Sequence, residues 1–326
     1  MRAWQVTTLG EPAKALSLTE GLPVPEPGPG QVLVRVRAAA LNFPDVLLCR
    51  GEYQIRLEPP FVPGVELCGE VVGLGEGVDG GLSGARVIGS PLLGALAEYT
   101  LMTAAETYRA PGSLDDAEAA ALHIAYQTAW FALHRRARLA AGETVLVHAA
   151  AGGVGSAAVQ LAKAAGANVI GVVGGEAKAE IARELGADLV VDRTSEDFVA
   201  KVKAYTGGRG VDVVFDPVGG DAYTGSARCV AFEGRIVVVG FAGGTIQSPG
   251  LNHALVKNYS ILGLHWGLYK QRDPALVHAC HDALVALADE GVVRPLVSER
   301  LPMERAAEGL EALGAGRTTG RVVVNL

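Results

Sequence analysis

The chain has 326 residues, 49% of them hydrophobic, and a net charge of −7. It exceeds the ~100–200 residues usual for one domain, so two hydrophobic cores are expected and a disordered chain is excluded. Cations dispersed through an acidic chain exclude a basic nucleic-acid footprint, and the lack of any run of about 18 apolar residues excludes a membrane-spanning helix and with it a membrane partner.

The opening segment, Met1 to Val6, reads as a strand with neither a charged lead nor an apolar leader core, so a cytoplasmic location is expected. Up to about residue 120, short β-like runs (31–37, 69–75, 85–89) alternate with Gly/Pro punctuation and predict a barrel-like β domain. Residues 23–30 form a stiff connection, because each proline fixes φ and removes a donor. Cys49, Cys68, Cys229 and Cys280 lie far apart with no C-x-x-C, which predicts buried thiols rather than a disulfide framework or zinc knuckle.

From Ser113 the pattern changes: residues 113–118 cap a helix and 119–133 carry its period. Strands are expected at 145–147, 169–173, 189–191, 211–215, 235–239 and 260–264, with helices such as 178–185 between most of them. Continuous apolar strands separated by helices predict a parallel sheet covered on both faces, and six of them match a doubly wound Rossmann domain. The tail after Asp273 predicts a helix, a short strand near 295–297, a helix through 303–313 and a last strand at 320–326, a tail able to return to the first domain. The last strand of the large sheet, near 260–264, presents an apolar edge that invites a second copy, so a homodimer is expected.

The run Val145 to Gly155, continuing to Lys163, reads as a strand, a glycine turn and a helix start. Such a helix directs unpaired N–H groups and its positive dipole end outward, and glycines let a diphosphate approach. The G-x-G-x-x-G fingerprint is filled as Ala150, Gly152, Gly155, with Gly153 and Val154 inside it. The alternative is an ordinary tight turn. A NAD site places an acid about 20 residues on, to accept from the ribose 2′-hydroxyl. Gly174 and Gly175 stand there, so nothing repels a 2′-phosphate, and Lys178 and Arg193 supply cations: the expected cofactor is NADP(H). Glu176 is the contrary residue, and Lys178 has the alternative of a solvated helix charge.

These segments, together with Asn42-Phe43-Pro44-Asp45, Pro63 to Gly69 and Leu262 to Gly267, resemble the zinc-independent quinone oxidoreductases, the zeta-crystallin group of the medium-chain dehydrogenase/reductase superfamily. The resemblance covers essentially the whole chain. It implies an α/β fold: a GroES-like β-barrel catalytic domain (1–122 and 270–326) and a Rossmann domain (123–269). Zinc-dependent relatives bind their metal with a Cys and a His from the segments that here hold Asn42 and Val65, so no metal site is expected. His278 and His281 share a helix face without a carboxylate or cysteine pair to complete a site.

The resemblance further implies that Asn42, Asp45 and Tyr53 line a cleft between the domains, with Asn42 and Tyr53 as donors to a substrate oxygen. Asn42 and Asp45 have the alternative of capping the helix opened by Pro44, and Tyr53 that of packing on Pro59-Pro60. Thr128, beside Gln127, and Phe241 are placed near the nicotinamide, and Arg317 at the 2′-phosphate; the alternatives are loop packing for Phe241 and a solvated cation for Arg317. The expected activity is metal-free reduction of a quinone by NADPH. Leu47 replaces an aromatic of some relatives and keeps a 2-alkenal or enone reductase open, as is a low-turnover NADPH-binding structural protein.

Overall fold

In the computed structural model, which describes residues 1–326, the chain enters through an antiparallel pair, β1 (Ala3–Val6) and β2 (Leu16–Thr19), on either side of α1 (Pro12–Ala15). Strand β3 (Gln31–Ala40) follows, its apolar side chains buried at every second position along most of its length. Next come α2 (Phe43–Arg50), β4 (Leu67–Leu74), β5 (Arg86–Gly89), β6 (Tyr99–Thr103) and β7 (Thr107–Arg109), then α3 (Asp116–Ala120) and α4 (His123–Trp130). The alternation begins at β8 (Thr144–His148). It continues through α5 (Gly153–Ala164), β9 (Asn168–Val173), α6 (Glu176–Glu184), β10 (Leu189–Asp192), α7 (Phe198–Tyr205), β11 (Val211–Asp216), α8 (Asp221–Cys229), β12 (Val230–Val238), α9 (Leu251–Lys257) and β13 (Ser260–Gly263). The tail comprises α10 (Gly267–Arg272), α11 (Pro274–Asp289), β14 (Val297–Pro302), α12 (Ala306–Gly314) and β15 (Arg321–Asn325).

Two units result, residues 1–124 with 285–326, and residues 125–284. In the first, the sheet order is β14-β15-β3-β4-β5-β7, with β6 also on β3, around a core that includes Val34, Leu67, Val87, Leu310 and Val324. The last strand is thus internal to the sheet. In the second, six parallel strands run in the order β10-β9-β8-β11-β12-β13, the doubly wound arrangement whose direction reverses between β8 and β11. Crevices at such reversals, beyond the carboxyl ends of the strands, receive ligands.

Several boundaries differ from the expectations. Unit two runs to Leu284 rather than 269 and so takes in most of α11, where Val277, Cys280 and Leu284 are buried. The helix expected over 119–133 is broken into α3, α4 and a π-helical turn at Phe131–Arg136; an alanine-rich run buried on nearly every side carries no stop signal. Strand β12 begins at Val230, earlier than the expected 235, and accommodates a register irregularity before Arg235 and a positive φ at Glu233. The short tail strand lies at 297–302, later than expected.

Candidate functional site

Strand β8 delivers the glycine turn to the reversal point of the second sheet. The backbone is left-handed at Ala149 (φ 50°), and Gly152 caps α5, whose first residues are Gly153, Val154 and Gly155. A Cβ at Gly155 would lie 2.0 Å from the Ala149 carbonyl oxygen, so this helix start closes on its own strand end only with glycine. Ala150, in place of the first fingerprint glycine, is accommodated by its neighbour. Its methyl points at Gly171 on β9, where an added Cβ would stand 3.0 Å away. The turn therefore offers a cradle for a diphosphate, with the N-terminal amides of a twelve-residue helix at its floor.

At the tip of β9, Gly174 serves a purpose the sequence did not disclose. The Arg193 guanidinium lies over it, with Nη2 3.3 Å from where a Cβ would be. The Arg193 amide donates to Val173 O at 3.0 Å, fixing its backbone to the end of β9. Glu176, the contrary residue, is turned aside: its carboxylate accepts from Arg183 at 2.7 Å across the exposed face of α6. Lys178 is half-buried on the same helix. Thr128 is half-buried on α4, beside Gln127, whose side-chain oxygen accepts from the Trp266 indole at 3.0 Å. Phe241 is partly exposed in the segment after β12, and Arg317 is exposed after α12 in the first unit.

Beneath the turn lies a pair that the sequence reading missed. His148, buried at the end of β8, has Nε2 2.7 Å from Ser226 Oγ, and that hydroxyl donates to Ala222 O at 2.7 Å. The hydroxyl proton being used, Nε2–H must donate to Ser226. Burial pushes the His148 imidazole down to about 4, keeping it neutral. Asp216, at the end of β11, accepts from the amides of Val218 and Gly219, both at 2.9 Å, and so shapes the loop facing the crevice.

In the first unit, Asn42, Glu66 and Arg321 form a buried triad, and Asn42 is corrected here as a donor to substrate. Both its amide hydrogens are spent, on Ala40 O at 3.0 Å and Glu66 Oε2 at 2.9 Å, and its oxygen accepts from Arg321 at 2.9 Å. Glu66, fully buried, is paired with Arg321 and accepts from the Ile124 amide at 2.6 Å. Asp45 likewise has a structural role: fully buried, it accepts from the Asn42 amide at 2.9 Å, closing the N-terminus of α2, and from the Gly64 amide at 3.1 Å. Tyr53 is half-buried, and its phenol is raised by burial and then by the charge of Asp45, which places the two close together. Of the three expected catalytic residues, Tyr53 alone retains a side chain accessible to a ligand.

Burial raises Asp45 from 3.8 to about 7, against the opposing backbone hydrogen bonds and Arg321. The native state thus keeps a proton that the unfolded chain releases, so stability falls as pH rises from about 4 to about 7. Urea midpoints at pH 5 and pH 8 are expected to show a smaller alkaline loss for Asp45→Asn than for the native chain; equal losses would contradict this origin. Glu66 is also raised by burial but is present in both proteins, so it leaves the difference intact.

Residues 28–112 match the family described as alcohol dehydrogenase GroES-like domain, and residues 153–281 the family described as zinc-binding dehydrogenase. A quinone oxidoreductase-like protein 2 homolog of Nematostella vectensis is 37% identical over 327 residues, covering 99% of this chain and 89% of the relative. The quinone oxidoreductase of Thermus thermophilus, solved also in complex with NADPH, has 34% identity and a TM-score of 0.85, covering all of both chains. An NAD-dependent alcohol dehydrogenase of known structure is similar at 32% identity and a TM-score of 0.90, again over both whole chains. The donors present do not fit the zinc that one family description implies: Asn42 is committed at both ends, Val65 has no donor, and Glu66 already holds a guanidinium. Nowhere do three His, Cys, Asp or Glu side chains gather as a metal would require. By its two matched families, its relatives and its fold, this chain belongs to the quinone oxidoreductase-like members of the medium-chain dehydrogenase/reductase superfamily and is an oxidoreductase of that type.

Proposed function

We propose that this chain is an NADPH-dependent quinone reductase that works without a metal. The observation that carries the reading is the tip of β9: it bears no acid directed to a ribose, and the Arg193 guanidinium is laid over Gly174. The NADPH complex of the Thermus relative supports it. When bound, NADPH supplies a hydride from nicotinamide C4; the quinone takes that hydride and one proton to become the hydroquinone. The chain's own share is binding and orientation. The amides of the α5 N-terminus hold the diphosphate, Arg193 and Lys178 face the 2′-phosphate, and Thr128 and Phe241 flank the nicotinamide. The Tyr53 hydroxyl donates to a quinone oxygen, and the proton comes from it or from solvent.

The test is oxidation of NADPH and NADH by purified protein across a panel of quinones and enones. NADPH oxidation driven chiefly by quinones is expected. Because one structural neighbour is NAD-dependent, a preference for NADH would overturn the cofactor assignment. Turnover with 2-alkenals or enones alone would favour the C=C reductase that Leu47 keeps in view, and binding without turnover would leave a structural protein.

We also propose that the chain is a homodimer. Strand β13 pairs only with β12, leaving one edge open, and the nearby α9 exposes Leu251 and Val256 at 73% and Leu255 at 76%. Sedimentation of micromolar protein is expected to give a dimer that the double change Leu255→Asp, Val256→Asp converts to monomer; an unchanged sedimentation coefficient would place the interface elsewhere.

A further inference from the structure

Asp192 ends β10 beside the tip of β9, and its side chain ties two loops together. One carboxylate oxygen, Oδ1, accepts from the Gly175 amide at 2.8 Å, from the Thr194 amide at 2.9 Å and from the Thr194 hydroxyl at 2.7 Å. Gly175 has a φ of 94°, a left-handed conformation that its bond to Asp192 helps to hold. Arg193 stands between the tethered residues, its own amide on Val173 O at 3.0 Å. Backbone is therefore fixed at Arg193 and Thr194, and also at Gly175, next to the glycine under the guanidinium. A free arginine side chain loses rotamer freedom when it binds, and a fixed backbone with a flat resting surface removes part of that cost before a ligand arrives.

Building on the NADPH reading above, we infer that Asp192 is a positioning residue for cofactor choice: it holds the 174–175 turn and the Arg193 backbone so that the guanidinium is presented to a 2′-phosphate. The assignment runs against simple electrostatics, since a carboxylate next to a phosphate site repels it. Three donors converging on one oxygen hold the Asp192 carboxyl below its ordinary range and offset that charge locally. The charge and the acceptor are consequently separable. Asp192→Asn keeps an acceptor oxygen and removes the repulsion, whereas Asp192→Ala removes both.

Dissociation constants of NADPH and NADH are measured on the full chain for the native protein, Asp192→Ala, Asp192→Asn, Arg193→Ala and the double variant Asp192→Ala, Arg193→Ala. With loss of a charge-assisted tether, Asp192→Ala is expected to weaken NADPH by about tenfold, to leave NADH within about twofold, and to add little once Arg193 is gone. Asp192→Asn is expected to stay within about threefold of the native protein or bind NADPH more tightly. Equal weakening of both cofactors, an unchanged NADPH constant in Asp192→Ala, additive losses in the double variant, or an Asn variant as weak as the Ala variant would each overturn the inference while leaving the NADPH reading in place. A native protein that binds neither cofactor, or prefers NADH, ends both.

Discussion

Replacing Gly155 by alanine is expected to weaken NADPH binding by about 100-fold, because a displaced helix start gives up charge-assisted hydrogen bonds to the diphosphate, each worth about 1.5–3 kcal/mol. The added methyl would sit 2.0 Å from the Ala149 carbonyl oxygen and 2.8 Å from its carbon, and neither atom belongs to a flexible side chain able to turn away. The left-handed residue at 149 or the first turn of α5 must move, and the amides that define the cradle move with it. Forcing an extra methyl into close packing adds about 1–3 kcal/mol of destabilisation, visible as a lower melting temperature. Gly112, with no atom within 4 Å of its would-be Cβ, is the control: Gly112→Ala is expected to leave binding and melting unchanged. Fluorescence titration of NADPH against both variants checks this, and tight binding by Gly155→Ala would remove the glycine turn as the cofactor cradle.

Arg321→Met is expected to cost about 3–5 kcal/mol of stability, the usual consequence of leaving one partner of a buried ion pair alone. Glu66 has no exposed surface and Arg321 has 5%, so water cannot replace the lost guanidinium. Asn42 would lose the donor to its oxygen as well. Burial already raises Glu66, with Arg321 the largest opposing influence, so the variant is expected to recover some stability at low pH by protonating that carboxyl. Adding Glu66→Gln is expected to restore part of the loss, since a neutral amide can remain hydrogen-bonded in the same place. Urea unfolding of the three proteins measures it; a loss below about 1 kcal/mol would mean that the triad is not structurally important.

The second unit was largely legible in the sequence because parallel strands buried on both faces are continuous apolar runs, and the Gly152 to Gly155 turn has a spacing dictated by close backbone approach. The first unit was harder: its strands are joined by residues far apart in the chain, such as β3 with β15, and no local period reports that. The same distance hid the triad. Glu66 and Arg321 are 255 residues apart, and the available signal was modest, a lone charge in each of two apolar segments, Pro63 to Gly69 and Gly320 to Leu326. Asn42 was misjudged for that reason: beyond Ala40, the partners that consume its side chain are Glu66 and Arg321, far from it in sequence. Arg193 was expected at the site from its sign alone; the Asp192 tether and the resting place on Gly174 were not legible, since stacking and tethering depend on where two adjacent strands end.

The strand 321–325 lies between β14 and β3, inside its sheet, although the whole of the second unit separates it from β3 in the chain. On a ribosome, residues 125–284 are complete before it emerges, whereas the first unit must wait with an open seam in its sheet and an unpaired acid at Glu66. A chain interrupted before Arg321 would therefore carry a whole parallel-sheet unit beside a first unit with a gap in the middle of its sheet, which exposes that unit to proteases.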